Sequence, residues 1–154
     1  MELFQVIEDS EGIEGAIMRV LSGRGAVGER VSENHPALLI VSPKAAAKGI
    51  ELPRQCRTVL LPGEMGGRAV PIRAASAVSY GVSPRDSLTL SSREGDTLWA
   101  ALQRELVTVD GQVVERQEFP LFLESGREAM PALAAAGALL LLGVSPEELI
   151  PFTS

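Results

Sequence analysis

The chain has 154 residues, 45% of them hydrophobic, with 20 acidic against 14 basic side chains and a formal net charge of −6. A chain of this size removes about 70% of its unfolded surface from water as one domain, so a single core spanning 1–154 is expected. Two lysines, Lys44 and Lys48, and twelve scattered arginines form no basic stripe for nucleic acid, and the lone Cys56 excludes an intrachain disulfide and a cysteine-rich metal site.

The opening Met1-Glu2-Leu3-Phe4 has no basic segment leading into a long apolar one. No signal peptide is therefore expected, and with one cysteine a cytoplasmic location is favoured. Leu3 to Ile7 reads as a strand, Glu8-Asp9-Ser10-Glu11-Gly12-Ile13-Glu14 as a tight turn, and Gly15 to Leu21 as a helix. Nucleotide enzymes hold phosphates on such a frame, but this turn carries acids and no lysine.

Gly23-Arg24-Gly25-Ala26-Val27-Gly28 matches the G-x-G-x-x-G spacing of dinucleotide sites. It follows a helix instead of joining a strand to one, so it reads as a helix stop and loop. His35, the only histidine, sits in the turn-like Glu33-Asn34-His35-Pro36 with no patterned partner for nucleophilic catalysis, and a structural or exposed role is expected.

Three short apolar runs follow: Ala37 to Val41 closed by Ser42-Pro43, Thr58 to Leu61 closed by Pro62-Gly63, and Ala74 to Ser79 ending at Tyr80-Gly81. Unbroken runs of this kind suit parallel strands covered on both faces. The loops after them are where such folds place ligands, so Pro62, Gly63, Tyr80 and Gly81 form a candidate ligand mouth. Ordinary strand-to-loop turns would carry the same residues. Arg54 and Arg57 flank Cys56 and would lower its pKa if it is exposed; a small residue at the start of a strand is the favoured alternative.

Further along, Ser87 to Ser92 alternates as a strand. Leu98 to Val109, Asp110-Gly111 and Gln112 to Leu121 read as an antiparallel hairpin with a type I′ turn. The spacing of Leu98, Ala101, Leu102 and Leu106 also fits a helix; the strand is favoured, with Trp99 in the core. Met130 to Val144 is the longest apolar run, too short for the roughly twenty residues of a membrane span, and Pro131 to Leu142 is expected as a buried helix stopped by Gly143. Ser145-Pro146-Glu147-Glu148 has the N-cap serine, first-turn proline and glutamate of a capping box, so a short terminal helix should follow. The fold class is α/β: a Rossmann-like three-layer domain with a mostly parallel sheet and an antiparallel hairpin from Leu98 to Leu121.

In this order the segments resemble a shortened central, ATP-binding domain of the Mur ligases, the amide-forming enzymes of peptidoglycan precursor synthesis. Ala77-Val78-Ser79-Tyr80-Gly81-Val82-Ser83 is similar to that family's apolar strand ending in Tyr-Gly. Ala132-Leu133-Ala134-Ala135 and Leu142-Gly143-Val144-Ser145-Pro146-Glu147-Glu148 resemble its Asn-Ala-Leu-Ala-Ala helix and the Leu-Gly-Val segment behind it.

The departures fall on the catalytic parts. Where the family has a Gly-Thr-x-Gly-Lys-Thr phosphate loop, this chain has Glu8-Asp9-Ser10-Glu11-Gly12-Ile13, whose Asp9 or Ser10 would cap the helix amides. A triphosphate beside Asp9, Glu11 and Glu14 would meet like charge with no lysine to offset it, and a carboxylate metal site from Glu8, Asp9 and Glu11 would be weak and hydrated. The family's His-Asn-x-x-Asn signature falls on Arg127, Glu128 and Pro131, none of which matches. The resemblance implies a degenerate, non-catalytic domain, without cofactor, metal or flanking substrate domains. It would act as a binding or interaction module on a second copy or another protein. The alternative is a binder of a nucleotide-sugar or peptidoglycan fragment through the loops after Leu61 and Ser79.

Overall fold

The computed structural model describes residues 4–23, 36–49, 54–65, 72–123 and 128–149. Five strands, β1 (Phe4–Ile7), β2 (Leu38–Val41), β3 (Arg54–Pro62), β4 (Ile72–Gly81) and β5 (Leu88–Glu94), lie side by side in chain order and run parallel. Two more, β6 (Thr97–Leu102) and β9 (Gln117–Phe122), continue the sheet antiparallel. Between them β7 (Leu106–Val107) and β8 (Val113–Val114) form a separate two-stranded ribbon. The helices are α1 (Ile13–Gly23), α2 (Pro43–Lys48), α3 (Ala129–Leu141) and α4 (Pro146–Leu149). The class is therefore α/β, with a mostly parallel sheet and helices packed on it.

The alternation of β2 sorts the layers. Leu38 and Ile40 join the main core with Ile13, Ala16 and Ile17 of α1 and the whole buried stretch Leu133 to Leu141 of α3, apart from the side-chainless Gly137. Leu39 and Val41 face the other way, onto Ala45 and Ala46 of α2. An all-apolar strand is what two covered faces require. Helix α3 is apolar all round because it is enclosed, and it ends in a Schellman motif: Val144 N donates to Leu139 O at 2.9 Å, Gly143 N donates to Leu140 O at 3.1 Å, and Gly143 takes φ 100°. The glutamate half of the capping box forms, with Ser145 N donating to Glu148 Oε1 at 3.2 Å and the Ser145 hydroxyl donating to the same oxygen at 3.0 Å.

Several elements differ from the sequence-based expectation. Strands β3 and β4 begin earlier, because their pairing runs back to Arg54 opposite Ile72 while Arg73 to Ala77 stay exposed; an apolar pattern cannot register a ladder that leaves the core. Ser42-Pro43 does not merely close a strand: Ser42 Oγ accepts the Ala45 amide at 3.0 Å and starts α2. The turn at Asp110-Gly111 is not type I′, since only Gly111 has positive φ (90°). Gly111 N donates to Thr108 O and Thr108 N to Gln112 O, the pattern of a three-residue loop with glycine in the left-handed position. Trp99 is 38% exposed, not core, because Leu98, Ala100 and Leu102 take the inward positions of β6. Gly25 to Gly28 of the glycine-spaced segment and His35 lie outside the described residues; Gly23 is the last residue of α1.

Leu60, fully buried in β3, meets α3 where Gly137 leaves room for it: a Cβ at Gly137 would sit 3.2 Å from Leu60 Cδ2 and 3.1 Å from Leu88 Cδ2. Leu60→Ala should lower unfolding free energy by about 3 kcal/mol in urea titration, and a loss under about 1 kcal/mol would mean that the sheet and α3 are not packed as described.

Candidate functional site

The bend between β1 and α1 is closed by one side chain. Glu8, the residue after β1, turns its carboxylate onto the first amides of α1: Oε1 accepts Ile13 N and Oε2 accepts Glu14 N, each at 2.9 Å. A phosphate seated on a helix N-terminus uses the same donors and the same partial positive charge. Here Glu8 fills both roles from within the chain. The expected caps, Asp9 and Ser10, do something else. Ser10 takes φ 55° to let the chain turn, and Asp9 pairs with Lys48 of α2.

Glu11 performs the matching task next door. Its Oε1 accepts Asp9 N and its Oε2 accepts Lys44 N at the start of α2, both at 3.2 Å. The loops after β1 and β2 are thus tied together. The expectation that no lysine offsets these acids is corrected in part: Lys48 of α2 pairs with Asp9, while Lys44 brings its backbone amide to Glu11. The hydrogen bond and charge of Lys48 hold the Asp9 carboxyl below its usual range, and Asp9 in turn raises the Lys48 ammonium. At this bend, then, Glu8 occupies the first amides of α1 and Lys48 partly offsets the acids.

The candidate mouth lies at the same edge of the sheet. Pro62 and Tyr80 are paired across β3 and β4, so the two loops are neighbours as expected. What fills the gap between them is Asp86, only 4% exposed. A Cβ on Gly63 would lie 1.7 Å from Asp86 Oδ1, and one on Gly81 would lie 2.5 Å from Oδ2. The glycines make room for this carboxylate, which accepts Ser83 N at 3.1 Å and closes the Ser83–Asp86 turn. Tyr80 is buried and donates its hydroxyl to Val41 O at 2.7 Å; burial and the Glu11 and Glu64 carboxylates push its phenol far above the usual range. Sequence reasoning named the glycines but missed Asp86. The only trace was a small residue at the end of each of two adjacent strands.

Cys56 is half-buried in β3, and burial pushes its thiol up to about 11, the reverse of the activation that flanking arginines would give. It borders a cavity of about 300 Å³ with Gln55, Arg73, Ala74 and Ala75. Among the described residues no group of three histidine, cysteine, aspartate or glutamate side chains is arranged to hold a metal. At the positions of the His-Asn signature, Glu128 is the N-cap of α3 without a side-chain capping bond, Pro131 sits in its first turn, and Arg127 lies outside the described residues.

Two measurements test this geometry. Glu8→Ala should cost about 1–2 kcal/mol in urea unfolding, with Glu8→Gln losing less because its amide oxygen still accepts one bond; an unchanged midpoint for Glu8→Ala would remove the carboxylate from the helix end. Iodoacetamide should alkylate folded Cys56 at pH 7.5 on the order of 100-fold more slowly than the urea-unfolded chain, as the thiolate fraction falls tenfold per pH unit. The raised thiol also makes stability fall as pH rises from the unfolded thiol's range near 9 through about 11, because the unfolded state alone loses its proton there.

No protein-family model matches the chain, and no curated protein matches it in sequence.

Proposed function

We propose that this chain is a non-catalytic α/β binding or protein-interaction module, related to a Mur ligase central domain that has lost its phosphate loop. The observation that carries this reading is the Glu8 carboxylate on the Ile13 and Glu14 amides. A ligase of that family spends those amides on a triphosphate, and phosphoryl transfer depends on a lysine and a hydroxyl held at the same loop. In this chain the acceptor is built in, and both lysines belong to another helix.

The alternative, a small-molecule binder using the loops after β3 and β4, draws on the pairing of Pro62 with Tyr80. It is the weaker reading, because Asp86 takes the space at Gly63 and Gly81 that a ligand would need. Interaction through a surface draws on different observations. One sheet edge, β1, is a short strand, and the other, β9, carries Pro120, which has no amide to offer a pairing strand. Apolar side chains stand exposed elsewhere: Val107 and Val113 of the two-stranded ribbon, opposite each other, are 60% and 59% exposed. Among the described residues no helix is long and apolar enough to cross a membrane.

Titration of the protein with magnesium-ATP by calorimetry, followed by a phosphate-release assay, should give no saturable heat and no turnover. Saturable binding of magnesium-ATP, or measurable ATP hydrolysis, would overturn the proposal. Sedimentation over a wide concentration range then separates a self-associating module from one that needs another protein.

A further inference from the structure

The sheet is covered unequally on its two sides. Opposite α1 and α3, helix α2 packs on β2 and β3 through Leu39, Val41 and Val59. Beyond β3, no described helix belongs to a core cluster on that side. Strand alternation decides what this bare region presents. Leu98, Ala100, Phe119 and Leu121 point to the main core. Thr97 and Trp99, with their partners Phe122 and Pro120, therefore face outward together.

Trp99 and Phe122 are each 38% exposed there. The bulge between Leu90 and Ser92 shifts the register of β5, which brings exposed Glu94 opposite Thr97 on this face. Exposed Glu118 lies two residues from Pro120 on the same face, at the opposite corner. The cross-strand rows through Thr97, Trp99 and Ala101 contain these two carboxylates and no lysine or arginine.

We infer that this face docks a cationic, partly apolar segment of another protein, an arginine or lysine side chain lying over Trp99 and its neighbours reaching Glu94 and Glu118. The inference rests on the interaction-module reading and gives it a surface and a partner chemistry. An aromatic face attracts a cation, and the flanking carboxylates set its direction. A second copy of this chain suits the face less well: it brings a net charge of −6 and two more carboxylates to the contact. Glu118 also accepts the Ser91 hydroxyl at 3.1 Å, which holds its carboxylate at the corner of the patch.

Trp99 is the only tryptophan, so intrinsic fluorescence reports on this face alone. A synthetic peptide alternating arginine and leucine should shift Trp99 emission saturably, more weakly as salt is raised, while a glutamate-leucine counterpart should not. The double variant Glu94→Gln with Glu118→Gln should weaken the arginine peptide about tenfold. Glu105→Gln with Glu115→Gln, the same charge change at exposed positions beside the two-stranded ribbon, should weaken it less than about twofold. Circular dichroism confirms that both variants fold. Equal binding of the two peptides, equal losses in the two variants, no shift with the arginine peptide, or self-association that buries Trp99 without peptide would each overturn the inference. None of these touches the non-catalytic reading, which falls only with binding or turnover of ATP.

Discussion

Two hydrogen bonds accepted by Glu8 fix the start of α1 at the carboxyl end of β1. The first amides of a helix are left without partners by helix geometry, and in a phosphate-binding fold that deficit is the binding site. Here the deficit is met at 2.9 Å from both carboxylate oxygens of a residue five positions earlier in the chain. A tethered anion needs no translational entropy to arrive, so an external one must displace it and leave its charge to be solvated elsewhere. The same substitution is repeated one loop further on, where Glu11 accepts the Lys44 amide of α2 and Asp9 pairs with Lys48. Two carboxylates, Glu11 and Asp9, thus anchor the loop after β1 to the start and end of α2.

Asp86 extends this pattern to the next pair of loops. It sits against Gly63 and Gly81 so closely that neither position admits a side chain, and it is nearly inaccessible to water. The strand order reinforces the effect. In open α/β sheets the ligand crevice forms where the order of strands reverses, whereas β1 to β5 follow one another without reversal. At the carboxyl ends of the strands, the strand order makes no reversal and the chain's own acids occupy the space at Gly63 and Gly81 and the first amides of α1.

Much of the fold could be read from the residues because the apolar runs coincide with the buried segments. Ala37 to Val41, Pro131 to Leu142 and the capping box at Ser145 each carry their own local signal, and each appears within a residue or two. What escaped depended on partners distant in sequence. The early start of β3 and β4 follows from their mutual pairing, not from any apolar pattern in Arg73 to Ala77. Trp99 looked like core by residue type, yet its place is set by the phase of β6. At the site, the acids of the bend were legible, but which one caps the helix was not. Asp9 and Ser10 have the residue types of a local cap, and the longer Glu8 wins because the turn through Ser10 and Gly12 swings the helix start back onto it. Asp86 left no sign of its own, since a buried aspartate is recognised only by the two strand ends it fills.

Among the described residues, the uneven helical cover of the sheet follows from the lengths of its helices. Helix α3 has thirteen residues and α1 eleven, enough to span the strands on one face; α2 has six and reaches only the first three strands. A sheet tolerates a bare face only where its outward residues are compatible with water. On β4 the residue of that face opposite Val59 is Ala77, small and exposed. On β6 and β9 the same face carries Trp99 and Phe122 instead, and these gain nothing from hydration. The proposed docking rests on this aromatic pair, with the Glu94 and Glu118 carboxylates at its corners. At the strand ends, by contrast, Glu8 and Asp86 take up the helix amides and the space beside Gly63 and Gly81.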